Sequence, residues 1–352
     1  MTGYKIKFNG ADRLYDDYSW RLTRRAKSVW QSGHLLQGQY LKKLEQEIAK
    51  KYKRKYAVGV GSATDGLYMA LRAMGITKDS TVVCPAFSYV ATAGAIKRIG
   101  ADITFVDTNE IGNIGDWGGM GLPDCVMYVN MFGNVADYDR LRGYCDKHKI
   151  PLIEDAAQSQ GAMHGKKPSG SLGDVSVFSF DPMKNMPSFG GGGMVLTDDK
   201  DVYDSVLSLR RHGTSGKHEY GYNSMISEDH ANQLLLLLDK FDRLQKLRAK
   251  VVKRYKKNLE EIRFLECSEG TQPSNHKLVI ISNRRDELKA YLETKGIETK
   301  IHYAKTLDTD NVGCYPNAEN LCAKVLSLPV YPHLKMDEVD YICKRIREFA
   351  DV

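Results

Sequence analysis

Along the chain, short continuous runs of apolar, β-branched and aromatic residues alternate with longer segments in which apolar positions recur every three or four residues. Tyr56 to Val60, Thr81 to Cys84, Ile103 to Asp107, Cys125 to Met131, Ile150 to Glu154 and Val175 to Phe180 are runs of the first kind. Apolar on both parities, they predict strands buried on both faces. Leu41, Leu44, Ile48 and Tyr52 keep helical spacing, as do Leu67, Ala70, Leu71 and Met74, and further helices are expected near Ser88, over Tyr138 to His148 and over Asp201 to Arg211. Strands alternating with helices predict an α/β fold with a mostly parallel, doubly wound sheet. The apolar run Ala231 to Leu238 opens a long helix that continues into the basic segment from Lys240 to Leu259, read as the link to a second domain. Beyond Arg263, short strands (Leu278 to Ile281, Glu298 to Ile301), a helix over Asp286 to Lys295 and a last helix from Asp337 predict a small C-terminal α+β domain. The expected division is therefore 1–240 and 241–352.

Composition narrows this picture only a little. The 352 residues are 42% hydrophobic, ordinary for a globular protein with a sizeable core. Seven Cys, with no C-x-x-C pair, read as reduced thiols and suggest neither a disulfide framework nor a zinc site. The N-terminal MTGYKIKFNGADRLYDD has no apolar core for a signal peptide, and no run approaches the roughly 18 apolar residues of a membrane span, so the expectation is a soluble, cytoplasmic protein with no membrane partner. The net charge of +7 comes largely from Lys42 to Lys55 and Lys240 to Lys257, read as solvated helix faces; no nucleic-acid motif accompanies it.

Candidate chemistry gathers in Pro151 to Thr197. Glu154 and Asp155 close one buried strand, and Lys184 lies in the irregular segment between the strand VSVFSF and the glycines Gly190 to Gly193. Ligands bind at the carboxyl ends of strands in parallel sheets, so an acid and an amine can meet there. That pairing suits pyridoxal phosphate, for which a Lys forms the Schiff base and an Asp pairs with the pyridinium nitrogen. In GSATDGLYMALRAMGI a helix opens just after Ser62, Ala63 and Thr64, which makes a ready phosphate site or, more simply, a capped helix start. Gly59, Gly61 and Gly66 do not have dinucleotide-fingerprint spacing. Phe87 or Tyr89, at a strand's end, could cover a flat ring or pack in the core. The polar stretch HGTSGKHEYGYNSMIS is too long for an ordinary turn.

The motifs GSATDGLYMAL, CPAFSYVAT, IEDAAQSQGA, FSFDPMKN, GGGGMVLTDD, GYNSMIS and LSLPVYPHL, in this order after SGHLLQGQYLKKLEQEIAKKY, resemble the nucleotide-sugar aminotransferases of the DegT/StrS type, which are pyridoxal-phosphate enzymes of fold type I. The resemblance implies that Lys184 is the Schiff-base lysine, Asp155 the partner of the pyridine nitrogen, Gln158 the partner of the phenolic oxygen and Tyr89 the aromatic stacked on the ring. It implies phosphate contacts from Ala63, Thr64 and Ser179, and from Asn223 of a neighbouring subunit, hence a homodimer with shared sites. Three departures stand out. Ser224 and Met225 occupy positions where the family commonly has an aromatic and an Arg, Asn109 to Leu122 is shorter than usual, and Ala63 replaces a Gly and requires a negative φ.

The function implied is transfer of an amino group from glutamate to a nucleotide-linked 4-keto-6-deoxyhexose, with C4 favoured over C3 and UDP or dTDP as carrier. His302 and Tyr303 are the expected substrate contacts, and no metal is expected. Alternatives are a sugar 3-aminotransferase, a deoxygenating dehydratase of the same fold, which the retained Lys184 argues against, and a catalytically silent binding protein.

Overall fold

In the computed structural model, which describes residues 3–116, 121–214 and 217–350, the first half of the chain forms α1 (Ala11–Ser32), α2 (Gln39–Lys51), β1 (Tyr56–Val60), α3 (Ala63–Ala73), β2 (Thr81–Pro85), α4 (Val90–Ile99), β3 (Asp102–Val106), β4 (Cys125–Val129), α5 (Tyr138–His148) and β5 (Leu152–Asp155). It continues through β6 (Met163–His164), β7 (Lys167–Pro168), β8 (Val175–Ser179), β9 (Gly193–Thr197), α6 (Lys200–Leu209), α7 (Glu228–Asn258), β10 (Thr271–Gln272), β11 (Leu278–Ile281), α8 (Arg285–Thr294), α9 (Pro316–Lys324), β12 (Val325–Leu328) and α10 (Met336–Ala350).

Seven strands make the central sheet in the order β1-β9-β8-β5-β4-β2-β3. All neighbours from β8 to β3 pair in parallel, and β9 alone runs antiparallel to both its neighbours. Successive residues of a strand face opposite sides. On β8 and β9, Val177 and Val195 therefore pack with α3 and α6, while Phe178, Met194 and Leu196 pack with α1, α2 and α7. Covering both faces removes the polar alternation of a half-exposed strand, which is why these segments read as continuous apolar runs. Burying a side chain such as Phe178 is worth about 1.5–3 kcal/mol.

The strand expected over Glu298 to Ile301 is not formed as a ladder. Its backbone is split between two neighbours: Ile297 bridges Ile6 in parallel and Lys300 bridges Ser327 antiparallel, one bridge each. The pairing partner of β11 is β12 instead. Helices α1 and α9 and strands β9 and β12 were not anticipated. In α1 the buried Leu14, Tyr18, Leu22, Ala26 and Val29 do keep helical spacing.

Helix α7 runs unbroken through residue 240, so the expected division at that point falls inside a helix. Its first half contributes Leu234, Leu237, Phe241 and Leu244 to the cluster under the central sheet. Its second half contributes Val251, Val252 and Tyr255 to a cluster with β11, β12, α8 and α10, and Ile6 belongs to that cluster as well. Arg13 ties α1 to the C-terminal helix through a two-pronged contact with Glu338, each oxygen at 2.6 Å. No helix among the described residues is long and apolar enough to cross a membrane.

Candidate active site

The sheet's parallel strands all end on one edge, and a cavity of about 440 Å³ opens there. Its walls come from the residues following four of those strands: Ser62, Ala63 and Thr64 after β1, Ser88 and Tyr89 after β2, Asp155 and Gln158 at and after β5, and Ser179 and Lys184 at and after β8. His302 and Tyr303 close it from the C-terminal part of the chain. Nine of the ten site residues expected from the sequence therefore line one cavity. Asn223 does not: it is exposed and lies on a strip bridged to Arg211.

Asp155 is buried, 4% exposed, and carries no direct ion pair among the described residues. Its Oδ1 accepts the Ala157 N–H at 3.1 Å and its Oδ2 accepts the Thr92 hydroxyl at 2.9 Å. A hydroxyl has one hydrogen to give, so Thr92, donating to the carboxylate, accepts from Ser88 at 2.8 Å. Burial pushes the Asp155 carboxyl above its ordinary range, against the pull of the Ala157 N–H, the Thr92 hydroxyl and the Lys184 ammonium. Burial likewise pushes Lys184 below the usual lysine range, with Asp155 and Asp181 acting in the opposite sense. An acid raised and an amine lowered within one cavity is the pattern of a site made for proton transfer.

The Gln158 amide is held in one orientation. Its Oε1 accepts the Phe132 N–H at 3.1 Å, which turns the NH2 group towards the Tyr303 hydroxyl, 3.4 Å away. The Phe132–Gly133 corner that presents this N–H contains Gly133 at φ +94°, where an added Cβ would lie 2.2 Å from Ser274 Oγ. Tyr89, 55% exposed, stands at the rim with its ring 5.9 Å from that of Tyr303 and lines the cavity, whereas Phe87 is fully buried and does not line it.

At the start of α3, Ser62 caps the helix by accepting the Asp65 N–H at 3.1 Å. The Ala63 and Thr64 N–H groups lie in the first turn, where no intrahelical acceptor exists. Ala63 is helical and absent from the residues with positive φ, so the replacement of Gly costs nothing in backbone strain. β9 passes so close that a Cβ on Gly193 would lie 2.7 Å from the Ala63 nitrogen, and only glycine allows that approach. Ser224 faces the same turn from outside the cavity: its Oγ accepts the Gly61 N–H at 2.9 Å and donates to Asp65 Oδ2 at 2.8 Å. Of the shortened interval Asn109 to Leu122, residues 117–120 lie outside the described ones, as do 215–216 of the long polar stretch.

The sequence reading missed Ser88, Thr92, His276 and Lys277, all of which line the cavity. Ser88 and Thr92 carry a local signal, hydroxyls four apart across a helix start. His276 and Lys277 carry none, because they reach the site only through the packing of the C-terminal segment. The Asn185 Nδ2 group donates to the carbonyls of Gln160 and Ser274, so its Oδ1 faces His276 Nδ1 at 3.2 Å, and that nitrogen must donate. Burial, with Lys277 and Lys184 nearby, holds His276 well below the usual histidine range, and it is neutral. His302 Nδ1 lies 2.9 Å from Ser327 Oγ, and burial beside Lys277 and Lys184 pushes its pKa down to about 3. Burial raises the Tyr303 phenol. No cluster of His, Cys, Asp and Glu suited to a metal ion occurs among the described residues.

A mostly parallel sheet with one antiparallel strand, whose carboxyl edge brings a buried acid and a lysine together beside a helix N-terminus, is the architecture of the fold type I pyridoxal-phosphate enzymes. The donor set fits that cofactor: first-turn N–H groups and hydroxyls for a phosphate, a carboxylate for a ring nitrogen, an amide NH2 for a phenolic oxygen. The chain belongs to the DegT/DnrJ/EryC1/StrS aminotransferase family, which matches residues 19–347. It is an aminotransferase. It is 32% identical over 356 residues to a pleiotropic regulatory protein of Geobacillus stearothermophilus, covering 95% of this chain and 96% of that one. It is 30% identical over 366 residues to the dTDP-3-amino-3,4,6-trideoxy-alpha-D-glucose transaminase of Streptomyces venezuelae, covering 99% and 97%. Among solved structures, S. venezuelae DesV in complex with a ketimine intermediate superposes with a TM-score of 0.95 at 30% identity, covering 99% of both chains.

Proposed function

We propose that this aminotransferase moves an amino group from glutamate to the C4 keto carbon of a 4-keto-6-deoxyhexose linked to UDP or dTDP. The observation that carries this reading is the placement of Lys184 and Asp155 in one cavity with the start of α3. The cofactor is pyridoxal 5'-phosphate, and the Tyr89 ring, Gln158, Asp155 and the phosphate-binding group of Ala63, Thr64 and Ser179 are the residues that would hold it. When bound, its pyridinium ring draws electrons from the carbon that loses a proton and carries the amino group between the two substrates.

Asp155 would hold the proton on the ring nitrogen, since its buried carboxylate has no direct ion pair among the described residues and is stabilised by a positive charge in contact with it. Lys184 anchors the cofactor and then moves the proton at the substrate carbon; its lowered pKa leaves more of the amine neutral near working pH than an ordinary lysine has. His302 and Tyr303 contact the sugar. Asn223 completes the phosphate contacts in the site of a second copy, so the working unit is a homodimer. The chain divides functionally near residue 240 into a cofactor-binding part and a smaller C-terminal part, joined through α7. The N-terminal part holds Lys184 and Asp155, and the C-terminal part supplies the two substrate contacts.

A second reading keeps the chemistry and moves it to C3. The S. venezuelae relative, whose name places the amino group at C3, favours it. The name of the Geobacillus relative favours a regulatory role, against which stands a cavity lined by nine of the ten expected site residues, Lys184 and Asp155 among them.

The test is a panel of UDP-, dTDP- and GDP-linked 4-keto and 3-keto sugars offered with glutamate and read by mass spectrometry, with borohydride trapping of the cofactor. The expected product is a 4-amino sugar nucleotide, with the trapped label on Lys184 and no product from Lys184→Ala. Product from 3-keto sugars alone selects the second reading, and a colourless protein indifferent to added pyridoxal phosphate sinks both.

A further inference from the structure

Positive charge converges behind Lys184, and among the described residues no carboxylate forms a direct ion pair with it. Lys277, half-buried, lines the cavity beside Lys184 and also a small cleft of about 40 Å³ that adjoins it. Its Nζ sits 4.6 Å from the centre of the Phe8 ring. Its backbone N–H is bonded to the Phe132 carbonyl at 3.1 Å, which fixes where the side chain starts, but no carboxylate pairs with the ammonium among the described residues. Arg248, 6% exposed, lines the same cleft, with Nη1 on the Val330 carbonyl at 2.6 Å and Nε without a partner. Burial, reinforced by Lys184 and Arg248 and only partly opposed by Asp181, holds Lys277 well below the usual lysine range. Buried charges are ordinarily paired, because an uncompensated one costs several kcal/mol. Here Lys277 and Arg248 line one cleft with Lys184 and neither has a direct carboxylate partner among the described residues, which leaves room for an anion brought by a ligand.

Resting on the aminotransferase reading above, we infer that Lys277 is the binding residue for the α-carboxylate of the amino donor, with Arg248 adding positive potential from behind. Two features select this carboxylate. It is attached to the very carbon whose proton Lys184 moves, so it must lie beside that lysine, and Lys277 lines the same cavity as Lys184. A 6-deoxy sugar ring brings no carboxylate, and the anion that its nucleotide carrier does bring, the diphosphate, is attached at C1, across the ring from the reacting C4. A uronic acid sugar is the other source of a carboxylate, and the experiment separates the two.

The test uses the holoenzyme with Lys277→Met, close in shape and without charge, and Lys277→Arg. Glutarate, a dicarboxylate with no amino group to react, is titrated calorimetrically, and half-saturation is measured for glutamate and for the nucleotide-linked 6-deoxy keto sugar, whose diphosphate is the other anion Lys277 could serve. Lys277→Met is expected to weaken glutarate and raise the glutamate half-saturation by about 10- to 100-fold, the loss of a charge-assisted contact, with the keto-sugar half-saturation unchanged. Lys277→Arg should recover part of the loss. Removing an unpaired cation should leave Tm at or above that of the wild type, whereas a lysine with a merely structural role would lower it. Unchanged glutarate and glutamate binding overturns the inference, and so does a loss confined to a keto-uronate sugar. Should the wild-type protein bind glutarate through Lys277 yet transfer no amino group, the function fails and the carboxylate site stands.

Discussion

Replacing Glu154 by Gln is expected to weaken the fold and spare the chemistry. On Oε1 the carboxylate accepts Asn130 Nδ2 at 2.7 Å, Ser169 Oγ at 2.7 Å and the Gly170 N–H at 3.0 Å. On Oε2 it accepts Gly170 again at 3.0 Å, the Leu172 N–H at 3.0 Å and Ser176 Oγ at 2.6 Å. A glutamine offers one oxygen and one NH2, so one side of this cradle then meets a donor. The serine hydroxyls can turn, but the Leu172 N–H cannot, and the Asn130 NH2 is held because its own Oδ1 receives the Ala136 N–H at 3.0 Å. Whichever way the amide sits, one buried donor is stranded at about 1–3 kcal/mol. The surviving contacts also lose their charge assistance, which is about half their strength. A combined loss of about 3 kcal/mol should lower Tm by roughly 4 °C in a chain of this size. Thermal unfolding by circular dichroism gives the shift, and turnover well below the transition gives the chemistry. Glu154 is fully buried and does not line the cavity, so kcat should stay near that of the wild type. An unchanged Tm, or a loss of kcat without a loss of Tm, would refute the reasoning.

Gly133→Ala should cost both stability and cofactor affinity, because its Cβ meets Ser274 Oγ at 2.2 Å and the Gln158 carbonyl at 3.1 Å at a φ of +94°; wild-type absorbance on titration with pyridoxal phosphate would argue otherwise. His302→Gln should flatten the acid limb of the Tm–pH curve. The folded pKa of about 3 lies below the ordinary 6.5, so in that window the unfolded chain binds a proton that the folded one does not. The stability is complete above about pH 6.5 and drains away as pH falls towards 3. Superimposable acid limbs for the variant and the wild type would remove His302 from this role.

The central sheet was legible because its strands are covered on both faces, so their composition alone marks them. Strand β9 was not, since its four leading glycines look like a loop until Gly193 is seen threading past the Ala63 nitrogen. Strand ends pointed to Lys184 and Asp155, and the family resemblance added Gln158 and Ser179. Glu154 and Asp155 looked interchangeable as neighbouring acids, and only the pleat separates them: one faces the cavity, the other a ring of donors on the far side. Lys277 and His276 lay beyond reach, because nothing local tells which face of the C-terminal segment will be folded against the sheet edge.

The Ile6–Ile297 bridge and the Arg13–Glu338 contact have a consequence for how the molecule comes apart. The cluster around β11 and β12 borrows Ile6 from the start of the chain and Tyr255 from the far end of α7. A fragment beginning at residue 241 would lack its Ile6 plug and half of the helix that supports it. Cutting the chain near 240 should thus yield no autonomous C-terminal piece, and the two parts should melt in a single transition, the polypeptide behaving as a clasped ring.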